Sequence, residues 1–242
     1  MKLNRIHALL APACLAAIAL AAPAAQAQTV ETLDFGWQTS TTTIPLVGQY
    51  FNGGTDSLGP RDGTGPGYGV AFGANAESLI ESASTTTSGK FENLPSGVGS
   101  GVLAFVSSNT TAANDAMNVA EGFTALAFNY ALSGNSATYD GTVNVYSGLN
   151  GTGSLLASIA LGPNGTTTSC TSTSDHFCSW SLGSASNFGV AESAVFVSTA
   201  TTAANTELAG ITITAVPEPG SFALMAAGLM ALCGVLGVRR RD

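Results

Sequence analysis

The chain has 242 residues, of which 9% are charged and 45% are hydrophobic. Between residues 28 and 216 only Arg61 and Lys90 oppose 13 acidic residues, which gives this segment a net charge of −11. Nucleic acid is excluded as a partner because phosphate binding needs clustered basic side chains. The hydrophobic content excludes a wholly disordered chain.

The first 27 residues have the organisation of a secretory signal peptide. Lys2 and Arg5 precede an apolar run from Ala8 to Ala25, and Ala25-Gln26-Ala27 is a small-x-small site. We therefore expect the secretion machinery to export the chain and cleavage to follow Ala27. Lipid attachment at Cys14 is the alternative, although little apolar sequence precedes that residue.

Residues 28–215 alternate apolar and polar side chains in short runs separated by Gly, Asn, Ser and Thr. This pattern predicts an all-β domain, most simply a single β-sandwich of the jelly-roll type. Asn150-Gly151 predicts the turn of a hairpin. Residues 112–120 fit either a short helix or a loop. The predicted strands are 102–106, 123–132, 142–146, 155–161, 193–198 and 211–214.

Two cysteines remain once the apolar ends are set aside, Cys170 and Cys178. In an exported domain this pair predicts a disulfide. Zinc binding by both thiols and His176 is the alternative, and it would require the cysteines to stay reduced.

Calcium is the better candidate for a bound metal ion. Asn52, Asp56 and Asp62 supply hard oxygen ligands in a glycine-rich loop. Their spacing does not match a known calcium loop, and Asp62-Gly63 fits a plain turn equally well.

Aromatic side chains offer candidate surfaces for stacking on sugar rings, although packing in the core competes for each of them. The candidates are Trp37, Tyr68, Tyr139 and Trp180. No catalytic triad or nucleophile elbow occurs in the sequence, so we expect a non-enzymatic protein. Glycoside hydrolysis would need a carboxylate pair, and nothing selects one among Glu77, Glu81, Glu92 and Asp140.

The C-terminal segment, residues 216–242, combines three features. Val216-Pro217-Glu218-Pro219 precedes 18 uncharged residues at 221–238, which would form a helix about 27 Å long. Arg239, Arg240 and Arg241 then form a stop-transfer cluster that holds the extreme terminus in the cytoplasm and the main domain outside.

These three features, in this order, resemble the PEP-CTERM sorting signal that exosortases recognise. The resemblance implies a Gram-negative bacterium that makes exopolysaccharide, and a membrane-embedded sorting protease that processes the tail near Pro-Glu-Pro. The two prolines would hold that motif extended at the membrane surface. A plain tail anchor is the alternative.

Two stretches of the middle region, Tyr50–Asp56 and Gly148–Gly153, resemble the jelly-roll domains of other exported proteins with such tails. Glu207–Ile211 departs from their usual last strand because it lacks an Asn before the isoleucine. We expect an inner-membrane intermediate, and then a cell-surface or matrix protein associated with exopolysaccharide. The alternatives are a secreted polysaccharide hydrolase and a tail-anchored structural spacer.

Overall fold

The computed structural model describes residues 28–38, 43–80, 91–105, 111–132, 141–164, 177–198 and 206–216. Thr29–Val216 form one compact unit. The described residues form strands and two single-turn 3-10 segments, which confirms the all-β prediction. The strands are β1 (Thr29–Leu33), β2 (Val70–Phe72), β3 (Ala76–Ile80), β4 (Gly101–Phe105), β5 (Ala116–Leu132), β6 (Gly141–Gly148), β7 (Thr152–Leu161), β8 (Ser181–Ser198) and β9 (Thr206–Ala215).

All nine described strands belong to one antiparallel sheet with the order β3-β4-β9-β5-β8-β6-β7. β1 pairs with β9, and β2 pairs with β5. The two longest strands, β5 with 17 residues and β8 with 18, lie at its centre. β9 pairs with the second half of β5, whereas β6 pairs with the second half of β8.

The sheet curls so that its two halves share one core. Phe105 on β4 stacks on Phe196 of β8 with ring centroids 4.8 Å apart. Three strand spacings separate these strands, about 14 Å in a flat sheet, so the contact requires strong curvature. The register of β5 against β8 shifts on either side of Phe123, which follows Gly122, whose φ is 86°. The predicted division into the two separate sheets of a jelly-roll sandwich is not confirmed.

Two hydrophobic cores lie on opposite faces of the sheet. The main core fills the inside of the curl and contains Phe35, Phe51, Phe128 and Ile211. The second core lies outside, where the loops 91–95 and 177–180 cover part of the sheet. Phe91 bridges to Phe177 there, and the indole Nε1 of Trp180 donates to the carbonyl of Glu92 at 2.9 Å.

Residues 112–120 do not form a helix, so that alternative was wrong. Residues 112–115 form a turn and β5 begins at Ala116. Met117 and Val119 are buried in the main core while Asn118 between them is half-buried. This alternation with a period of two is typical of a strand. Pairing with β2 on one side and β8 on the other stabilises the strand conformation.

The predicted hairpin is confirmed as β6 and β7 joined by Leu149–Gly151. Asn150 adopts the left-handed conformation, with φ 58° and ψ 32°. Its backbone N–H donates to Oδ1 of Asn118 at 2.7 Å, and Nδ2 of Asn118 donates to Oδ1 of Asn150 at 3.0 Å. The turn is thus held against the start of β5.

Replacing Asn150 by alanine should lower the free energy of unfolding by about 1–2 kcal/mol. Alanine loses the side-chain acceptor and tolerates the left-handed conformation less well than asparagine. Asn150→Gly is the matched control, because it keeps the conformation and loses only the side-chain bond. Urea unfolding followed by tryptophan fluorescence measures both. Equal losses in the two variants would contradict a backbone contribution.

Candidate functional site

An aromatic and acidic loop region, residues 34–38 and 43–69, covers one side of the main core. Trp37 stacks on Tyr50 with ring centroids 4.0 Å apart and an interplanar angle of 14°. Tyr50 meets Phe51 edge-on, and Phe51 stacks on Tyr68 at 6.4 Å. The backbone enters this region through a turn in which Oδ1 of Asp34 accepts the N–H of Gly36 at 2.8 Å.

Three carboxylates act on the phenol of Tyr50. Burial raises the pKa of Tyr50, and the charges of Asp56, Asp62 and Asp34 raise it further in that order. Asp56 is 6% exposed and has a structural role, since its Oδ1 accepts the N–H of Leu58 at 2.8 Å. The other oxygen, Oδ2, accepts a long bond of 3.5 Å from Nε1 of Trp37.

The predicted calcium ligands lie in this same region. The Asn52 side chain is exposed, and its Nδ2 donates to Oε1 of Gln49 at 2.9 Å. Asp62 ends the 3-10 turn Pro60–Asp62. Across the described part of the chain, no three His, Cys, Asp or Glu side chains converge into a group that could hold a metal ion. Calcium binding stays a prediction.

The structure brings two of the four predicted stacking rings into one region. Trp37 and Tyr68 are half-buried, and both pack on the main core. Trp180 packs on the second core instead, with its indole N–H bonded to backbone. Tyr139 lies outside the described residues. Each of the three described rings is therefore partly covered by packing against a core and partly accessible to solvent.

Four residues form one row across the sheet because each lies directly opposite the next. Glu77 on β3 pairs with Ala104, Ala104 pairs with Glu207 on β9, and Glu207 pairs with Ala131 on β5. Directly paired residues point to the same face, so both carboxyl groups lie on the face that carries the second core. Burial raises the pKa of Glu77 and raises that of Glu207 well above its ordinary value.

Glu207 was missed as a special residue at the level of sequence. Its side chain is completely buried, and within the described structure neither carboxylate oxygen has a hydrogen-bond partner. Among the carboxylates considered for catalysis, Glu92 is half-buried, whereas Glu81 and Asp140 lie outside the described residues. Only the strand register, which is not local in sequence, places Glu77 and Glu207 on one face.

Only one of the two cysteines of the predicted disulfide, Cys178, lies within the described residues. Cys178 is 5% exposed and lies beside the second core. Cys170 lies outside the described residues, as does His176, the additional ligand in the zinc alternative. The pairing of Cys170 with Cys178 stays a prediction.

The chain leaves the sheet at the end of β9. Ala215 pairs with Thr29 of β1 and with Phe123 of β5. The N–H of Val216 donates to the carbonyl of Gly122 at 3.0 Å. The remaining terminal predictions lie outside the described residues: the signal peptide 1–27, Pro217, Glu218, Pro219, the apolar segment 221–238 and the arginines 239–241.

Within the described ranges, no helix is long and apolar enough to cross a membrane. The predicted span, 221–238, lies outside those ranges.

Comparison with known proteins identifies the C-terminal end. Residues 215–241 match the PEP-CTERM protein-sorting motif, which confirms the resemblance inferred from the tail. The first two residues of the match, Ala215 and Val216, are those that the sheet holds in place. No curated protein matches the chain. The chain thus carries the sorting motif of exported proteins that exosortase-type systems process.

Proposed function

We propose that this PEP-CTERM chain is a non-enzymatic protein of the cell surface or extracellular matrix, and that its β domain associates with exopolysaccharide. The sorting motif carries the proposal, since it marks an exported chain for an exosortase-type system of a Gram-negative cell. Export would begin with the predicted signal peptide and pass through a membrane intermediate held by residues 221–238. The tail would then be processed near Pro217–Pro219.

The aromatic and acidic loop supports the carbohydrate part of the proposal. Trp37 and Tyr68 are held at defined positions by the rings of Tyr50 and Phe51, and each is half-buried with part of its surface accessible. Rings fixed in this way can stack on the apolar faces of sugars at little cost in conformational entropy. The net charge of −11 favours neutral or cation-bridged polysaccharide over a polyanion.

A polysaccharide hydrolase is the second candidate, and Glu77 with Glu207 is the carboxylate pair that favours it. The complete burial of Glu207 argues against it, because a catalytic carboxyl must reach the glycosidic oxygen or the attacking water. A spacer without ligands is the third candidate.

We expect Tyr68→Ala to weaken binding of the host's exopolysaccharide about threefold to tenfold, the range of one lost aromatic stacking contact. Tyr146→Ala is the matched control, since Tyr146 is also half-buried but lies on β6. Co-sedimentation or biolayer interferometry measures the affinity.

Equal weakening by the two substitutions would remove the loop from the proposal. No binding by the unaltered protein would favour the spacer. Release of reducing sugar that Glu77→Gln abolishes would establish the hydrolase instead.

A further inference from the structure

One part of the outward face of the sheet lacks charged side chains, although the same face carries Glu77 and Glu207 further across the sheet and the domain is strongly acidic. It consists of two rows across β1, β9, β5 and β8, on the side opposite the main core. All eight side chains are small and uncharged, although the domain has a net charge of −11. The rows are Val30-Thr214-Ala125-Ser186 and Thr32-Thr212-Ala127-Ser184.

Exposed valines gather where the chain leaves this face. Val30 is 62% exposed and Val190 is 52% exposed. A Cβ atom placed on Gly122 would lie 2.5 Å from Cγ1 of Val190 and 3.7 Å from Cγ2 of Val216, so both side chains pack over this glycine. Val30 pairs with Thr214, two residues before Val216. We name Val30, Val190 and Val216 the valine rim.

Covalent geometry limits the distance between the rim and a membrane that holds the tail. Four residues, 217–220, separate Val216 from Ser221, where the uncharged segment 221–238 begins. Five Cα–Cα steps span at most about 18 Å when fully extended. The headgroup layer occupies about 5–8 Å of that distance. An inserted tail therefore keeps the rim close to the lipid surface.

We propose that the valine rim contacts the headgroup layer of the bilayer while the tail is inserted. The inference rests on the membrane intermediate of the proposed function. Valine and threonine side chains lose little on entering this layer, whereas the acidic surfaces elsewhere on the domain would resist it. Tethering through four residues raises the effective concentration of the rim at the surface, so a weak contact is sufficient.

The acidic neighbour of the rim specifies the type of lipid. Glu121, which precedes Gly122, is exposed. Its carboxylate would be repelled by anionic lipid. A zwitterionic surface is therefore the favoured partner, and added anionic lipid should weaken the contact.

The test places a photo-crosslinking amino acid at Val190 in the signal-processed chain, residues 28–242, in phosphatidylcholine vesicles. Leu155 on β7 is the matched control site, because it is 56% exposed but lies on another strand, outside the two rows. We expect lipid adducts at Val190 at least about fivefold above those at Leu155. Replacing a third of the lipid with phosphatidylglycerol should reduce the adducts at Val190.

Flotation of the same vesicles separates the two ways of failing. Chains that float with the vesicles but give equal adducts at both sites would overturn the rim contact and leave the membrane intermediate standing. Chains that do not float would contradict the membrane intermediate, and the rim contact with it. Val190→Asp should leave flotation unchanged and lower adducts formed from a crosslinker at Val30, whereas Leu155→Asp should change neither flotation nor these adducts.

Discussion

A chain carrying Pro217→Ala together with Pro219→Ala is expected to keep its tail. The two prolines prevent regular helix at the motif, whereas alanine is the strongest helix former. With both prolines replaced, the helix expected at 221–238 can extend back toward Val216 and withdraw the motif from an extended conformation. Each proline disfavours the helix by about 3 kcal/mol relative to alanine, so replacing both stabilises the helical form of the motif. Because the protease is expected to need the extended form, the processed fraction should fall at least about tenfold.

Intact mass of the protein from envelope and medium fractions measures this result. The unaltered chain should begin at Gln28 and end between Pro217 and Gly220, whereas the double variant should retain Arg241. Pro163→Ala is the control, because Pro163 is exposed and follows β7. Normal processing of the double variant would show that the protease does not require an extended motif.

The sheet sets a limit on where the cut falls. Ala215 is paired on both sides, and Val216 is bonded to Gly122. A protease needs an extended segment with free backbone groups, and the paired end of β9 up to Ala215 does not offer one. The same mass spectra should therefore contain no product that ends before Val216.

Replacing Glu207 by methionine should increase the free energy of unfolding by about 1–3 kcal/mol at pH 8, the cost of burying a polar group without a hydrogen bond. The Glu207 carboxyl is completely buried between Ala104 and Ala131, without a hydrogen-bond partner in the described structure. Methionine has a similar length and needs no partner.

The pH dependence of the free energy of unfolding tests whether ionisation of the buried Glu207 carboxyl causes this effect. Burial raises the pKa of Glu207 in the folded protein, so between the unfolded pKa, about 4.5, and the folded pKa the folded state binds more protons than the unfolded state. Stability then falls as pH rises through that window, and below it the group is neutral in both states and costs nothing by ionisation. The difference between Glu207→Met and the unaltered protein should therefore grow from pH 4 to pH 8.

Urea unfolding between pH 4 and pH 8 measures that difference. Glu77→Met is the matched control, because Glu77 lies in the same row but is only half-buried, and it should change the pH dependence much less. Parallel pH profiles for Glu207→Met and the unaltered protein would show that Glu207 is already ionised or solvated in the folded state.

Local patterns predicted the parts of the structure that local interactions determine. Alternation predicted β6 and β7, and Asn150-Gly151 predicted their turn. The first half of β8 was missed because Ser181–Val190 contains Ser, Gly and Asn, which are typical of loops. It is a strand because β5 pairs with it and the ring of Phe128 covers Gly183, where a Cβ would lie 2.7 Å from the ring.

The candidate sites likewise divide into those that local sequence predicts and those that depend on strand pairing or loop packing. The sorting motif is a continuous segment, so its residues were predicted from sequence and its identity was confirmed. Glu207 belongs to a row built from three other strands, and no local pattern gives the register that places it between two alanines. The stacking of Trp37 on Tyr50 depends on a loop that returns over the main core, which sequence spacing alone does not fix.

The pairing of the first and last strands determines how the domain would carry mechanical load. β9 lies between β5 on one side and β1 with β4 on the other, and β1 runs antiparallel to it from Thr29 opposite Ala215. A pull on the chain at Val216 along β9 loads these hydrogen bonds in shear, many at once, rather than opening them one by one. A domain attached to a surface through this end would therefore resist flow by sharing the force across three neighbouring strands.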